Sequence, residues 1–468
     1  MKKITFFFLS FLFTCTLSNG QIQLWGMNTR GGAASDGSIY KCTPKSNSSV
    51  AVTEFNGQNG AAPFGSLIQA NDGNLYGMTR DGGHTANGSI FKCTISGIIT
   101  AIAEFDGTNG ATPYGDIIQG NDGNFYGMTS FGGTYGYGVI FQCTPAGVIT
   151  PLVDFDGGNG MYPNGNLIQG KDGNLYGLAT YGGTIGDSGT IFKCTTSGIL
   201  TVLDTFKSYN GGNPNGSLIQ AADGNLYGMT MYGGSYDSGI IFKCTPEGIL
   251  TTLVSFNTAS GCFPYGSLVQ GPDGNLYGMT ETGGSFNYGT IFKCTTSGTL
   301  STLVTFNGTN GENPLGSIML ASDSNLYGFT SGGGSSGAGT IFQCTTAGSL
   351  TTVSNLIGYV YACDPVRQYG TLTEINPVLG INNIVNNSNI NLYPDPAHDV
   401  LNLSFDMQAT SNTSVIIIDI SGKELITANK TISNGKNVSI DISTLSEGMY
   451  FAKVATDKNS QVFKFIKN

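Results

Sequence analysis

One short segment recurs through most of the chain and limits what it can fold into. The segment reads Gly-x-Ile-Phe-Lys-Cys-Thr with small variations, and its cysteine returns every 50 or 51 residues. The seven copies of that cysteine are Cys42, Cys93, Cys143, Cys194, Cys244, Cys294 and Cys344. A fixed period of this length is typical of repeat folds, in which each unit buries its apolar face against its neighbours.

Each period contains four short runs rich in β-branched and aromatic residues, separated by glycine, proline or Asp-Gly. One period shows them at residues 216–220, 225–230, 239–245 and 248–256. Such runs are typical of β-strands, and a four-stranded unit repeated in tandem is typical of propeller blades. We therefore predict an all-β fold in which residues 21–374 form a seven-bladed β-propeller.

The two ends of the repeat region predict how the ring closes. The first copy begins at residues 24–27, which match the second strand of later copies, while residues 369–372 resemble the start of a first strand at 265–268. A first strand supplied from the far end gives a one-plus-three closure, which removes exposed sheet edges. A linear solenoid is the alternative, but it offers no reason for this permutation.

Composition and charge argue against some classes of function for this chain. Only 11% of residues are charged, and the net charge is −10 with 20 Lys and Arg residues. Nucleic-acid binding needs clustered positive charge, so no nucleic-acid partner is expected.

Residues 1–20 have the pattern of a signal peptide, with Lys2 and Lys3 before an apolar run. No later stretch reaches the ~18 apolar residues of a membrane helix, so no transmembrane span is expected.

The Asp-Gly-Asn segments have two interpretations, calcium ligands or hairpin turns. They occur at 72–74, 122–124, 172–174, 223–225 and 273–275. Asp-Gly suits a tight turn that needs positive φ, and a calcium loop needs further ligands that are missing here. The turn interpretation is favoured, and no metal site is predicted.

Catalytic residues and cofactors are not predicted. The repeated cysteines should lie too far apart to pair, as should Cys262 and Cys363, and we expect buried thiols. His84 and His398 lie in different domains, which excludes a histidine triad or a multi-histidine metal site.

Glu54, Glu104 and Asp154 occupy matching positions at the end of the fourth strand; a glycosidase could use two carboxylates, but solvated strand ends are the favoured interpretation.

A ligand site is predicted on one face of the ring. The connections after the first and third strands are short, whereas those after the second and fourth are long and share one face, where binding residues usually lie. The loop after the second strand carries aromatic residues suited to stacking on sugars or gripping a partner. The candidates are Phe131, Tyr135, Tyr137, Tyr181, Tyr232, Tyr236, Phe286 and Tyr288. Packing of these rings over the blade edges is the alternative.

The segments Asp-Gly-Asn-Leu-Tyr-Gly and Gly-Thr-Ile-Phe-Lys-Cys resemble the bacterial tandem repeats known as Gloeo/Verruco type. The resemblance covers residues 24–356. It implies a propeller-like, surface-associated protein and no defined reaction.

A different segment follows the repeats. Residues 375–389 are rich in Asn and predict a linker, and the strand-like runs within 390–468 predict a small Ig-like β-sandwich. This region closely resembles the type A sorting domain of the type IX secretion system. The matching residues include Pro394, Pro396, Gly422, Lys423, Gly448 and Tyr450, while Asp395 departs from the usual Asn. The resemblance implies a partnership with the secretion machinery, export through the outer membrane, and release or attachment at the cell surface.

These observations predict a non-enzymatic surface or secreted protein whose looped face binds a glycan or another surface protein. The alternative is a polysaccharide-degrading enzyme that uses carboxylates on the same face.

Overall fold

The computed structural model describes residues 22–44, 48–184, 186–356, 370–375, 390–393, 397–405, 411–419, 424–432, 438–456 and 460–467. The predicted signal peptide, linker residues 376–389, Cys363 and four sorting residues (Pro394, Pro396, Gly422 and Lys423) lie outside the described residues.

The repeat region consists of short strands in the predicted order. In chain order they are β1 (Leu24–Asn28), β2 (Ser38–Thr43), β3 (Ser48–Glu54), β4 (Ile68–Gln69), β5 (Leu75–Thr79), β6 (Ser89–Cys93), β7 (Ile99–Glu104), β8 (Ile118–Gln119), β9 (Phe125–Thr129), β10 (Val139–Cys143), β11 (Ile149–Asp154), β12 (Ile168–Gln169), β13 (Leu175–Ala179), β14 (Thr190–Cys194), β15 (Leu200–Thr205), β16 (Ile219–Gln220), β17 (Leu226–Thr230), β18 (Ile240–Cys244), β19 (Leu250–Ser255), β20 (Val269–Gln270), β21 (Leu276–Thr280), β22 (Thr290–Cys294), β23 (Leu300–Thr305), β24 (Met319–Leu320), β25 (Leu326–Phe329), β26 (Thr340–Cys344), β27 (Leu350–Asn355) and β28 (Thr373–Glu374). A short 3-10 helix spans Ser208–Asn210.

Within the described residues these strands form seven four-stranded antiparallel sheets. Sheet 1 has the order β28-β1-β2-β3, and sheets 2 to 7 each take four consecutive strands, from β4–β7 through β24–β27. Four strands per repeat were predicted, and this is confirmed.

Burial explains why the inner strands read as continuous apolar runs. Every residue of β17 is buried, whereas β19, the last strand of the same sheet, has no fully buried residue. Apolar clusters join neighbouring sheets face to face: Tyr176 and Ile191 of sheet 4 pack with Leu226 and Phe242 of sheet 5. A sheet that is covered on both faces needs apolar residues in succession rather than in alternation.

Sheet 1 is completed by the far end of the repeat region. Leu24 pairs with Glu374 and Trp25 with Thr373 in the antiparallel register. The predicted pairing is therefore observed, with the hydrogen-bonded strand beginning two residues after Thr371. An apolar cluster also joins sheets 7 and 1, because Leu24 and Tyr40 pack with Tyr327 and Ile341.

The described part of the C-terminal region contains two antiparallel sheets. Its strands are β29 (Ile390–Tyr393), β30 (Val400–Phe405), β31 (Ser411–Ile418), β32 (Glu424–Ile432), β33 (Val438–Asp441), β34 (Gly448–Thr456) and β35 (Ser460–Lys467). One sheet has the order β29-β30-β33 and the other β32-β31-β34-β35. Leu401, Leu403 and Ile440 from the first sheet share one core with Ile417 and Val454 from the second.

Candidate functional site

A cavity of about 710 Å³ lies among the long loops of the repeat region. Its described lining residues come from the loops that follow the second strand of a sheet and from the loops that lead into the first strand of the next. The short turns, such as 70–74 and 94–98, contribute none. Loops on a rigid scaffold are where proteins commonly carry their binding residues.

A Pro-x-Gly segment before the first strand of sheets 2 to 7 brings the chain to this cavity. The residue before the proline has positive φ in sheets 2 to 7, at Ala62, Thr112, Tyr162, Asn213, Phe263 and Asn313. Side chains rarely adopt this conformation, and Tyr162, at φ 50°, both adopts it and lines the cavity. The residue after the proline supplies further lining side chains: Phe64, Tyr114, Asn164, Asn215 and Tyr265.

The glycines that end these six segments form a closed circle with Gly370, which follows Gln368 and Tyr369 rather than a proline. A Cβ on any one of them would overlap the carbonyl oxygen of the next, and the circle returns from the last to the first. Its members are Gly65, Gly115, Gly165, Gly216, Gly266, Gly316 and Gly370. Only glycine permits backbones to approach so closely.

The residue after each glycine extends a hydrogen-bond belt around the circle. The Asn166 N–H donates to Ser217 Oγ at 2.7 Å, the Ser217 N–H to Ser267 Oγ at 2.8 Å, and the Thr371 N–H to Ser66 Oγ at 2.7 Å. Each bond joins one sheet to the next, so a small hydrogen-bond acceptor at this position has a structural role.

Aromatic rings and an arginine line one side of the cavity. Phe64 contacts Tyr114 edge-on, with ring centroids 5.1 Å apart, and the Arg80 guanidinium lies 4.7 Å from the Phe64 centroid. Tyr162 contacts Phe131 at 5.1 Å and Tyr181 at 6.3 Å. Such clusters present flat, amphipathic surfaces for a ligand.

Asp116 is the only carboxylate among the described lining residues. It accepts hydrogen bonds from the Ser66 N–H and from Asn166 Nδ2. Burial outweighs these bonds and raises the pKa of Asp116 above its ordinary value. Its equivalents in other sheets are Ser, Thr or Asn, so the acid is particular to sheet 3.

Two of the eight predicted aromatic residues, Phe131 and Tyr181, line the cavity. The other six are not among its described lining residues: Tyr135, Tyr137, Tyr232, Tyr236, Phe286 and Tyr288. Tyr137 is half-buried against Tyr162, and the remaining five are exposed. Sequence reasoning missed Phe64, Tyr114, Tyr162 and Tyr265, although the variable residue of each Pro-x-Gly segment was a usable signal.

The three matching carboxylates at the ends of the fourth strands hold loops in place. Glu54 accepts from the Ala33 N–H and Glu104 from the His84 N–H, both at 2.9 Å, and Asp154 accepts from the Thr134 N–H at 3.1 Å. None of the three lines the cavity. The expectation of merely solvated strand ends was therefore incomplete, because each carboxylate anchors the loop that follows the second strand.

The Asp-Gly-Asn segments are turns, as predicted, with positive φ at glycines such as Gly224. The described residues contain no group of three or more His, Cys, Asp or Glu arranged for a metal ion. The seven repeated cysteines and Cys262 are buried and unpaired with one another. Burial raises the pKa of Cys194 to about 11, which is typical of an unreactive thiol.

Of the sorting residues, Gly448 and Tyr450 fall in the described part of the C-terminal region. Gly448 begins β34, and Tyr450 is buried with its hydroxyl donating to the Ser446 carbonyl at 2.9 Å. The Tyr450 ring stacks on Phe465 with centroids 5.8 Å apart. Tyr450 therefore has a structural role within this region.

Family models account for most of the chain. Residues 13–188 and 167–379 match the Gloeobacter/Verrucomicrobia repeat. The chain belongs to this repeat family. Residues 391–468 match the secretion system C-terminal sorting domain. Both predicted resemblances are thus confirmed, and the sorting domain marks this repeat protein as cargo of the type IX secretion machinery, secreted or delivered to the outer surface.

Solved structures show the same kind of fold at low identity. A provisionally assigned 6-phosphogluconolactonase from Bacteroides fragilis is 18% identical, with a TM-score of 0.51 over 77% of this chain and 99% of that chain. A similarly assigned protein from Bacteroides uniformis is 15% identical, with a TM-score of 0.49 over 70% and 95%. At this identity the first likeness supports the all-β, propeller-like fold alone.

No curated protein matches the sequence significantly. Within the described ranges, no helix has the length and apolar character needed to cross a membrane.

Proposed function

We propose that the chain is a non-enzymatic surface or secreted protein that binds a carbohydrate in the cavity among its long loops. Its seven sheets would form a closed, seven-bladed propeller that holds the loops rigid, and the C-terminal region, an Ig-like sandwich, would serve export. Residues 1–20 would direct the first export step as a signal peptide.

Several contacts support ring closure. Glu374 in sheet 1 accepts from the Ser322 N–H in sheet 7 at 2.7 Å. This bond repeats the one between Gln220 and the Lys171 N–H, at 2.8 Å, which joins sheets 5 and 4. The circle of glycines likewise returns from Gly370 to Gly65. Equivalent contacts at the junction and at interior positions favour a ring over an open solenoid.

The composition of the cavity wall carries the functional proposal. Six described lining residues are aromatic, Phe64, Tyr114, Phe131, Tyr162, Tyr181 and Tyr265, and three are asparagines, Asn164, Asn166 and Asn215. Rings stack on the apolar faces of sugars, while amides pair with hydroxyl groups. The volume of about 710 Å³ lies within the usual range for a ligand site.

Two equivalent tyrosines provide a matched test. Tyr181 lines the cavity and is 41% exposed, whereas Tyr232, at the same place in the next sheet, is 39% exposed and is not a lining residue. We expect Tyr181→Ala to weaken binding of a glycan found on an array by about tenfold, because a ring contact is lost. Tyr232→Ala should leave the affinity unchanged. Equal effects of the two substitutions would count against the cavity as the binding site.

The alternative is a polysaccharide-degrading enzyme, and Asp116 is the observation that favours it. A buried acid with a raised pKa beside a cavity is suited to general acid catalysis. Glycosidases generally use two carboxylates, and Asp116 is the only one among the described lining residues. Incubation of the secreted protein with each bound glycan separates the two functions: turnover that disappears in Asp116→Asn would establish an enzyme, and intact ligand supports a binder.

A further inference from the structure

Two of the chain's three arginines lie in the cavity wall. The sequence has three, Arg30, Arg80 and Arg367, and all its other basic side chains apart from two histidines are lysines. Arg30 and Arg80 both line the cavity, and no lysine is among its described lining residues. These two arginines and Asp116 are the charged side chains among the described lining residues, in a chain whose net charge is −10.

Arg80 is held in a defined orientation. Its Nε donates to Asp81 Oδ2 at 2.9 Å, and its Nη2 bonds to the same oxygen. The guanidinium also lies 4.7 Å from the Phe64 centroid. Arg80 also forms a side-chain hydrogen bond with Tyr114. A guanidinium carries five N–H donors, so these contacts leave donors for a second anion.

Asp116 lines the cavity, and it would repel an anionic ligand less strongly than a fully ionised carboxylate would. Burial raises the pKa of Asp116, so its protonated form is favoured more than in a solvated aspartic acid. Arg30 and Arg80 follow the second strands of sheets 1 and 2, whereas Asn166 and Asn215 lie in the loops that lead into sheets 4 and 5. The arginines and the asparagines thus belong to different sheets, whereas aromatic lining residues come from sheets 2, 3, 4 and 6.

On the basis of this asymmetry, and resting on the proposed carbohydrate site, we propose that the ligand is an acidic glycan. Arg30 and Arg80 would contact a carboxylate or sulfate on one sugar, while the asparagines contact hydroxyl groups farther along the chain. Arginine suits this role because its planar fork matches both anions.

The test compares matched ligands on the full secreted protein. Calorimetric titration would use an oligogalacturonate against its methyl ester, and a sulfated oligosaccharide against its desulfated form. We expect at least one acidic ligand to bind about tenfold more tightly than its neutral partner, with the preference reduced by added salt. Binding of the oligogalacturonate would identify a carboxylate as the recognised group, and binding of the sulfated oligosaccharide would identify a sulfate.

Substitutions then assign the preference to the arginines. Arg30→Gln and Arg80→Gln should each weaken binding of the acidic ligand about tenfold more than binding of its neutral partner. Lys171→Gln is the control, because it removes one positive charge from an exposed residue in a turn outside the cavity. Arg80→Lys keeps the charge and should lose part of the affinity; it also replaces Arg80→Gln if that variant does not fold.

Equal affinity for acidic and neutral ligands, or full affinity in both arginine variants, would overturn the inference. If neutral glycans bind and Tyr181→Ala removes that binding, the carbohydrate site stands while the acidic preference fails. If neither kind of glycan binds, both proposals fail.

Discussion

At the scale of single residues, the most repeated motif serves structure. Asp223 accepts hydrogen bonds from the Asn225 N–H at 3.1 Å, from Asn225 Nδ2 at 2.9 Å and from the Tyr227 hydroxyl at 2.7 Å. The same three partners recur in sheets 3, 4, 6 and 7. The spacing Asp-x-Asn-x-Tyr therefore describes one hydrogen-bonded turn. Variable residues, rather than repeated ones, are left to bind a ligand.

These turns predict acid sensitivity. Burial disfavours ionisation of Asp223, but the bonds from Asn225 and Tyr227 outweigh it and hold its pKa below the ordinary value. Asp122, Asp172 and Asp273 are lowered in the same way. A lowered folded-state pKa stabilises the protein above the unfolded value of about 3.9, and this contribution is lost as pH falls through the folded value.

Urea unfolding at pH values from about 6 down to about 2 measures this loss. We expect the free energy of unfolding to fall below about pH 4, and Asp223→Asn to show a shallower fall because one linked carboxylate is gone. Identical pH profiles for the two proteins would contradict the assignment.

At the scale of elements, the loop into each first strand depends on close backbone contact. Gly216 meets the Gly266 carbonyl of the next sheet, so Gly216→Ala forces the two sheets apart. We expect a loss of about 2 kcal/mol in the free energy of unfolding, measured by chemical denaturation. Gly212→Ala in the same loop is the control, since a Cβ there would lie 3.6 Å from its nearest neighbour, Ser188. A similar loss in both variants would mean that the circle of glycines is not the cause.

At the scale of the whole molecule, residues from opposite ends of the repeat region share one sheet. Contacts between neighbouring sheets are repeated along the chain, and the junction between sheets 7 and 1 uses Glu374 where the junction between sheets 4 and 5 uses Gln220. At this junction the Glu374 side chain accepts a hydrogen bond from Ser322, a role that a neutral glutamine can also fill.

Substitution of Glu374 tests this contact. Glu374→Ala removes the acceptor for Ser322 and should lower the free energy of unfolding by about 1 kcal/mol. It should also speed hydrogen exchange in Leu24–Asn28, which pairs with the closing strand. Glu374→Gln restores the acceptor found at Gln220 and should behave like the original protein. Faster exchange in both variants would point to charge as the important property.

Short-range preferences for strands and turns explain which features of the fold could be predicted from the sequence. The period of the cysteine segment, the Asp-Gly turns and the four apolar runs predicted the strands, their number per repeat and the long-loop side, because strand and turn preferences act over a few residues. The motifs within 390–468 likewise identified the sorting domain without coordinates.

The tertiary structure alone decided which side chains meet. Residues 50 apart, such as Asp116 and Asn166, become neighbours only when the sheets stack. The same stacking gathers Phe64, Tyr162 and Arg80 around one cavity and leaves Tyr232 outside it. Repeat spacing predicts equivalent positions, but it does not reveal which equivalents differ in their surroundings. Those surroundings depend on packing between segments far apart in the chain, and that packing is what makes equivalent positions in a repetitive sequence differ from one another.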